Sequence, residues 1–222
     1  MNFERTKISL SRSIWDYGKI QNLYSAVVRC RGFQVQRLDL ENKKLLNVGC
    51  GPNHKVGFVN LDYDWQPGVD LCWDITRRIP VSSNTLEGIY SEHCLEHLTR
   101  DSCAGVLKEF RRLLKRRSVT RIVVPDIGLY LELYAKSKRE PDVTFPYAEN
   151  PEPGWTPLAS INRVMRGHGH LYGYDAQTMG VMLQNAGFHD IRQCEFMSGR
   201  DNRLLVDSPD RALESLYMEA VA

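Results

Sequence analysis

The sequence contains no C-x-x-C pair and no dense cysteine framework; its six cysteines, Cys30, Cys50, Cys72, Cys94, Cys103 and Cys194, are scattered. Thiols spaced in this way stay free in a reducing compartment, which argues against a disulfide-stapled scaffold and leads us to expect a cytoplasmic location. No segment approaches the ~20 apolar residues that a membrane span requires, and the first residues hold no unbroken apolar stretch of signal-peptide length, so neither insertion nor export is expected. Internal repeats and low-complexity tracts are absent as well. The formal net charge is only +2. Basic residues do cluster at Arg111, Arg112, Lys115, Arg116 and Arg117, but no aromatic side chains are interleaved for base stacking. The cluster reads as the end of a predicted helix, where cations complement the carboxyl-terminal partial charge, and no nucleic-acid partner is expected.

What is present fits one large α/β domain: 222 residues, 42% of them hydrophobic and 25% charged. A chain of this size buries roughly 70% of its extended surface on folding and needs neither metal nor disulfide to hold together. Residues 1–40 read as a helical lid or packing segment, with Ile14, Tyr17, Ile20, Leu23 and Tyr24 near a 3.6-residue period. The remaining domain, 41–222, opens with the buried run Leu45, Leu46, Val48, halted by Gly49-Cys50-Gly51-Pro52. Further strands are expected at Phe58 to Tyr63, Val69 to Ile75, Leu86 to Tyr90, Thr120 to Val124, Ile191 to Phe196 and Ser215 to Ala220. Helices are expected from Thr99 to Arg117 and from Ala176 to Ala186. Between Lys138 and Pro157 the chain turns to Pro, Glu, Asn and aromatic residues, an insertion that continues neither kind of element.

Three successive strand ends carry groups suited to one nucleoside. The first ends in Gly-x-Gly, where the backbone can come close to a ligand. The second ends in Asp62 and Asp64, placed to accept hydrogen bonds from ribose hydroxyls. The third ends in Asp74-Ile75, a carboxylate for an exocyclic amine and an apolar side chain for the ring. These features, with Thr76, Pro80 and the run Ser91-Glu-His-Cys-Leu-Glu-His-Leu98, resemble the class I S-adenosylmethionine-dependent methyltransferases, especially their type 11-like branch. The resemblance covers roughly residues 44–200.

That resemblance implies a Rossmann-like, mostly parallel seven-strand sheet with helices on both faces and one antiparallel strand at the edge. It implies S-adenosyl-L-methionine as cofactor, with Gly49, Cys50 and Gly51 near its amino-acid part and Asp62 at its ribose. Asp74 and Ile75 would meet its adenine, and Ser91 with Glu92 or His93 would lie beneath it. Only ten residues separate Gly51 from Asp62, too few for a full crossover helix and a strand, so the first crossover is expected to shrink to a turn.

Two histidine motifs admit other readings. His93-Cys-Leu-Glu96-His97 fits the H-x-x-E-H pattern of zinc hydrolases, in which two histidines a helical turn apart hold the metal; the plain alternative is a packed helix start. His168-Gly-His170 faces the acceptor side in the resembled family, and either imidazole is a candidate base for an oxygen acceptor; here the plain alternative is a loop histidine bonded to backbone. No resident metal is expected. Cys50, between two turn glycines, reads as a small filler rather than a nucleophile, and Trp155 is the better aromatic candidate for an acceptor contact. The expected activity is methyl transfer to a small-molecule or saccharide-like acceptor, with a non-catalytic nucleoside-binding or accessory protein as the alternative.

Overall fold

The computed structural model describes residues 21–30, 34–140, 142–147 and 154–222. Seven strands form one sheet: β1 (Leu45–Val48), β2 (Phe58–Asp62), β3 (Leu71–Cys72), β4 (Leu86–Glu92), β5 (Leu114–Pro125), β6 (His189–Cys194) and β7 (Ser215–Val221), ordered β3-β2-β1-β4-β5-β7-β6. The first five run parallel, and β7 runs antiparallel to both neighbours. This is the Rossmann-like sheet expected, with one correction: the antiparallel strand lies one place inside the edge, and β6 forms the border. The β6 ladder is interrupted between His189 and Arg192, where Asp190 has φ 51°.

Residues 49–57 hold turns and no helix, so the short crossover is realised as a turn that lets β1 and β2 sit side by side. Helix α2 (Arg100–Leu113), N-capped by Thr99 through its bond to the Ser102 amide, and α5 (Ala176–Asn185), capped by Asp175, bury their apolar sides on one face of the sheet. That face carries Leu46, Val48, Val59, Leu61, Ile89, Ile122, Val124, Leu216 and Met218, the alternate residues of each strand. The opposite face carries Leu45, Phe58, Tyr90, Val119, Val123 and Tyr217 and receives Leu204 from the stretch before β7. It also buries Asn47, Asn60, Arg121 and Glu219.

Helix α2 ends at Leu113 and β5 begins at the next residue. Arg111 and Arg112 do occupy the last helical turn, but Lys115, Arg116 and Arg117 belong to the strand, correcting the expectation of one basic helix end. β5 is far longer than the five residues expected because it pairs with β4 and β7 over most of its length.

Helices α3 (Ile127–Ser137) and α4 (Pro157–Arg166) flank the expected insertion and close a satellite cluster of Ile127, Tyr130, Phe145, Ile161 and Val164. The described residues between the two helices form neither helix nor strand. Helix α1 (residues 21–30) rests on the turn after β2, where Ser25 Oγ accepts from the Trp65 amide at 2.9 Å. Ile14, Tyr17 and Ile20 lie outside the described residues. Leu23 is 69% exposed, while the half-exposed Tyr24 packs its ring edge-on against Trp65, centroids 4.9 Å apart, so of the described part of that stripe Tyr24 holds the helix and Leu23 does not. No described helix is long and apolar enough to cross a membrane.

Candidate functional site

A cavity of about 720 Å³ opens at the carboxyl ends of β1, β2 and β4, the place where open parallel sheets take their ligands. Gly49 and Gly51 form its floor, Asp62, Asp64, Asp74 and Ile75 one wall, and His93, Cys94 and His97 the other. A smaller recess of about 230 Å³, lined by Arg29, Tyr63, Trp73 and Asp74, adjoins it under residues 21–30.

The floor depends on glycine. A Cβ on Gly49, whose φ is +68°, would lie 2.4 Å from Cys94 Sγ, so the ends of β1 and β4 could not approach as they do. Gly51, with φ +47°, has nothing within 4 Å of where a Cβ would project; that space belongs to the cavity. The Gly49 and Cys50 amides both donate to the Leu61 carbonyl, and the Gly51 amide donates to Asp62 Oδ2 at 2.7 Å, so β2 holds the turn in place.

On the carboxylate wall, Asp62 Oδ1 accepts from the Asp64 amide at 2.9 Å. Asp64 Oδ1 is buried without a hydrogen-bond partner among the described residues, and Arg29 Nη1 stands 3.9 Å away. Asp74 spends Oδ1 on the Thr76 amide and hydroxyl. Its Oδ2 lies 3.5 Å from the exposed Arg77, and Ile75 stands beside it.

The opposite wall is a corner where four of the six histidines meet. His93 follows β4 in a left-handed conformation, φ 47°, and a 3₁₀ turn, Leu95–His97, follows it. This arrangement corrects the zinc-hydrolase reading, which needs one continuous α-helix through both histidines of H-x-x-E-H. The Glu96 carbonyl accepts from the amides of Leu171 and Tyr172 at 2.8 and 3.2 Å, and that pairing brings the second histidine motif onto the first. His170 packs edge-on against His97, ring centroids 4.9 Å apart, and His168 lies 6.0 Å from His170. His97, not His168 or His170, is on the cavity wall.

Glu96 is 1% exposed, and neither carboxyl oxygen has a hydrogen-bond partner among the described residues. Burial pushes its carboxyl up to about 8. Burial first, then the Arg211 charge and the neighbouring His170 and His97, pull His93 down to about 3. Burial and His170 lower His97 too. His93 and His97 are therefore neutral imidazoles at neutral pH.

Of the residues expected at a cofactor, Gly49, Gly51, Asp62, Asp74, Ile75 and His93 line the cavity. Three do not. Cys50 turns into a cluster with Val69 and Cys72, and burial pushes its thiol up to about 12, far from a nucleophile. Ser91 is 1% exposed within the sheet, its hydroxyl without a hydrogen-bond partner among the described residues. Glu92 points to Ser208, accepting from its amide and hydroxyl at 2.8 and 2.5 Å. Trp155 bonds Ser160 Oγ at 2.9 Å and is not part of the wall. Asp64, named with Asp62 at the end of the second strand, lines the cavity as well. Cys94 and His97 line it without having been assigned to the cofactor; both sit in the run Ser91 to Leu98 already singled out, so reading that whole run rather than its first residues would have found them.

No protein-family model matches the chain, and no curated protein matches it in sequence. Solved structures with a similar chain path include an S-adenosylmethionine-dependent methyltransferase of Thermotoga maritima described as a possible histamine N-methyltransferase: 12% identity, 86% of this chain and 93% of that one covered, TM-score 0.48. Another is an S-adenosylmethionine-dependent methyltransferase of Archaeoglobus fulgidus: 15% identity, 89% and 94% covered, TM-score 0.48. A third is the 1,6-didemethyltoxoflavin-N1-methyltransferase of Burkholderia thailandensis, bound to 1,6-didemethyltoxoflavin and S-adenosylhomocysteine: 14% identity, 100% and 90% covered, TM-score 0.46. The fold assignment rests on the sheet order rather than on these likenesses, and residue roles rest on the geometry.

Proposed function

We propose that this chain is an S-adenosylmethionine-dependent methyltransferase that takes a hydroxyl-bearing small-molecule or saccharide-like acceptor. The observation that carries the reading is the cavity itself, with glycine floor and carboxylate wall at three successive strand ends. The donor set fits a nucleoside. Asp64 Oδ1 is an acceptor awaiting a donor, which a ribose hydroxyl supplies, with Asp62 beside it. Asp74 Oδ2 is free of its own turn, which uses Oδ1, and can accept from the adenine amine with Ile75 against the ring. The open space over Gly51 suits the amino-acid end. A sulfonium amino acid carries no pyrophosphate, so the missing first helix, with its dipole, matters less than it would for a dinucleotide.

When bound, S-adenosylmethionine supplies an activated methyl group on a good leaving group, and the protein contributes orientation, water exclusion and electrostatics. The histidine corner then forms the acceptor's side of the cavity, where a neutral imidazole is able to receive a hydroxyl proton. His97 is on the wall, with His170 against it and His168 more exposed beyond.

Calorimetric titration with S-adenosylmethionine and S-adenosylhomocysteine tests the reading without an acceptor in hand. Saturable binding at one site supports it; no binding of either ligand by folded protein overturns it. Asp74→Ala should weaken binding by about 1–3 kcal/mol, the value of a hydrogen bond whose partner is left unsatisfied, and unchanged affinity would remove Asp74 from the site. Cofactor turnover across an acceptor panel separates an enzyme from a binding protein on the same fold.

A further inference from the structure

We propose that Glu96, His97 and His170 form a binding site for a divalent transition-metal cation, best matched by zinc, at the edge of the cavity. One donor atom from each of the three lies within 4.8 Å of the other two, and Glu96 Oε1 is 3.9 Å from His170 Nε2. Two donors on one tetrahedral zinc ion stand ~3.4 Å apart, so small side-chain rotations close the set.

The hydrogen bonds around the corner decide which nitrogens face inward. His170 Nδ1 lies 2.6 Å from the Val164 carbonyl, which can only accept, so Nδ1 carries the proton and Nε2 presents its lone pair to Glu96. The Ser215 hydroxyl donates to the Arg211 carbonyl and so accepts from His93 Nε2 at 2.8 Å. His93 Nδ1 therefore presents its lone pair too, 3.5 Å from Glu96 Oε1. Two imidazole lone pairs converge on a buried carboxyl with no donor of its own among the described residues. A proton on Glu96 could serve only one of them, and at these distances it serves neither well. A cation held between Glu96 and His170 Nε2 takes the carboxyl and that lone pair together, with His97 as the third ligand.

The surrounding bonds have the form that metal ligands require: the second nitrogen of His170 is tied to a backbone carbonyl, which fixes tautomer and ring orientation. Two imidazoles and one carboxylate make a zinc site with an open position. His97 belongs both to this set and to the cavity wall, so the open position adjoins the cavity. Resting on the methyltransferase reading, its fourth ligand would be an oxygen of the acceptor, oriented toward the bound cofactor.

The test is zinc titration of chelator-stripped protein, with cobalt substitution as a spectroscopic readout. One zinc per chain is expected, with a cobalt spectrum of low coordination number. Glu96→Gln, His97→Asn and His170→Asn should each weaken binding beyond the ~10–100-fold that loss of an orienting partner brings, whereas His189→Asn, on exposed β6, should change nothing. Glu96→Gln keeps the side-chain shape, and circular dichroism establishes that each variant is folded. No saturable zinc binding, or affinity unchanged in all three variants, overturns the site. Titration of the stripped protein with S-adenosylhomocysteine keeps the two readings apart. Zinc without cofactor binding leaves the metal site standing and removes its acceptor role; cofactor without zinc binding overturns the metal site and leaves the methyltransferase reading standing.

Discussion

Two buried clusters of ionisable side chains sit on this sheet, and they are built on opposite terms. Beneath the stretch before β7, the fully buried Arg121 uses all five of its N–H groups: two on Asp207, one on Glu219 and one each on the carbonyls of Ser198 and Glu195. Asp207 also accepts from the Met197 amide, and Glu219 from Arg192 and the Arg200 amide. At the carboxyl end of the sheet, Glu96 is as deeply buried and has no such partner among the described residues. A satisfied network holds a fold in one register, whereas an orphaned carboxyl carries a desolvation cost that persists only where something else uses it.

The largest test of the contrast is Arg121→Met. It strands two buried carboxylates, and removing one partner of a buried pair typically costs about 3–5 kcal/mol. Urea unfolding should show that loss, while ligand affinity at the cavity, measured under conditions where the variant is folded, should be unchanged. A loss below about 1 kcal/mol would place the network among ordinary surface pairs.

Glu96→Gln should act in the opposite direction in metal-stripped protein. A carboxyl raised from 4.5 to about 8 on folding favours the folded state less and less as pH rises from 4.5, and the loss is complete only above about 8. His93, lowered from 6.5 to about 3, loses stability on the other side, as pH falls from 6.5 toward 3. The glutamine removes the alkaline limb alone. At pH 9 the variant should therefore be more stable than its parent, by something on the order of a few kcal/mol, with the acid limb retained. Parallel pH profiles for the two proteins would refute the orphaned-carboxyl account.

The smallest effect belongs to Ser215→Ala, which deprives His93 Nε2 of its acceptor at a cost of about 0.5–1.5 kcal/mol. Its sharper readout is nitrogen NMR of the imidazole, where the proton should no longer be confined to Nε2. An unchanged tautomer would mean that Ser215 does not set it.

The sequence disclosed some of these relations and hid others. The glycine turn after β1, the acids ending β2 and the Asp74-Ile75 pair are local, and each keeps its meaning wherever the rest of the chain goes. The strands β1 and β4 were legible as apolar runs, although Leu45 and Leu46, alike in sequence, turn to opposite faces. The face away from α2 and α5 was not, because Arg121 within TRIVV declares a need for a counter-charge without naming Asp207, 86 residues away. A second charge in an otherwise apolar strand, Glu219 in SLYMEAV, was the available clue. The histidine corner stayed divided because H-x-x-E-H and H-G-H each looked incomplete alone. The Glu96 carbonyl joins them through the amides of Leu171 and Tyr172, and backbone pairing across such a distance leaves no mark on composition or period.

The border strand β6 has a consequence for life in a crowded solution. An open sheet invites other chains to extend it, and the last strand is where that happens. Here the rim is broken between His189 and Arg192, Asp190 takes a left-handed turn, and its carboxylate is paired with Arg200. An incoming strand would meet a kink and a fixed charge in place of a straight row of free amides and carbonyls. Edge addition therefore meets a bulge and a fixed charge at the flank where the described sheet ends in its longer border strand.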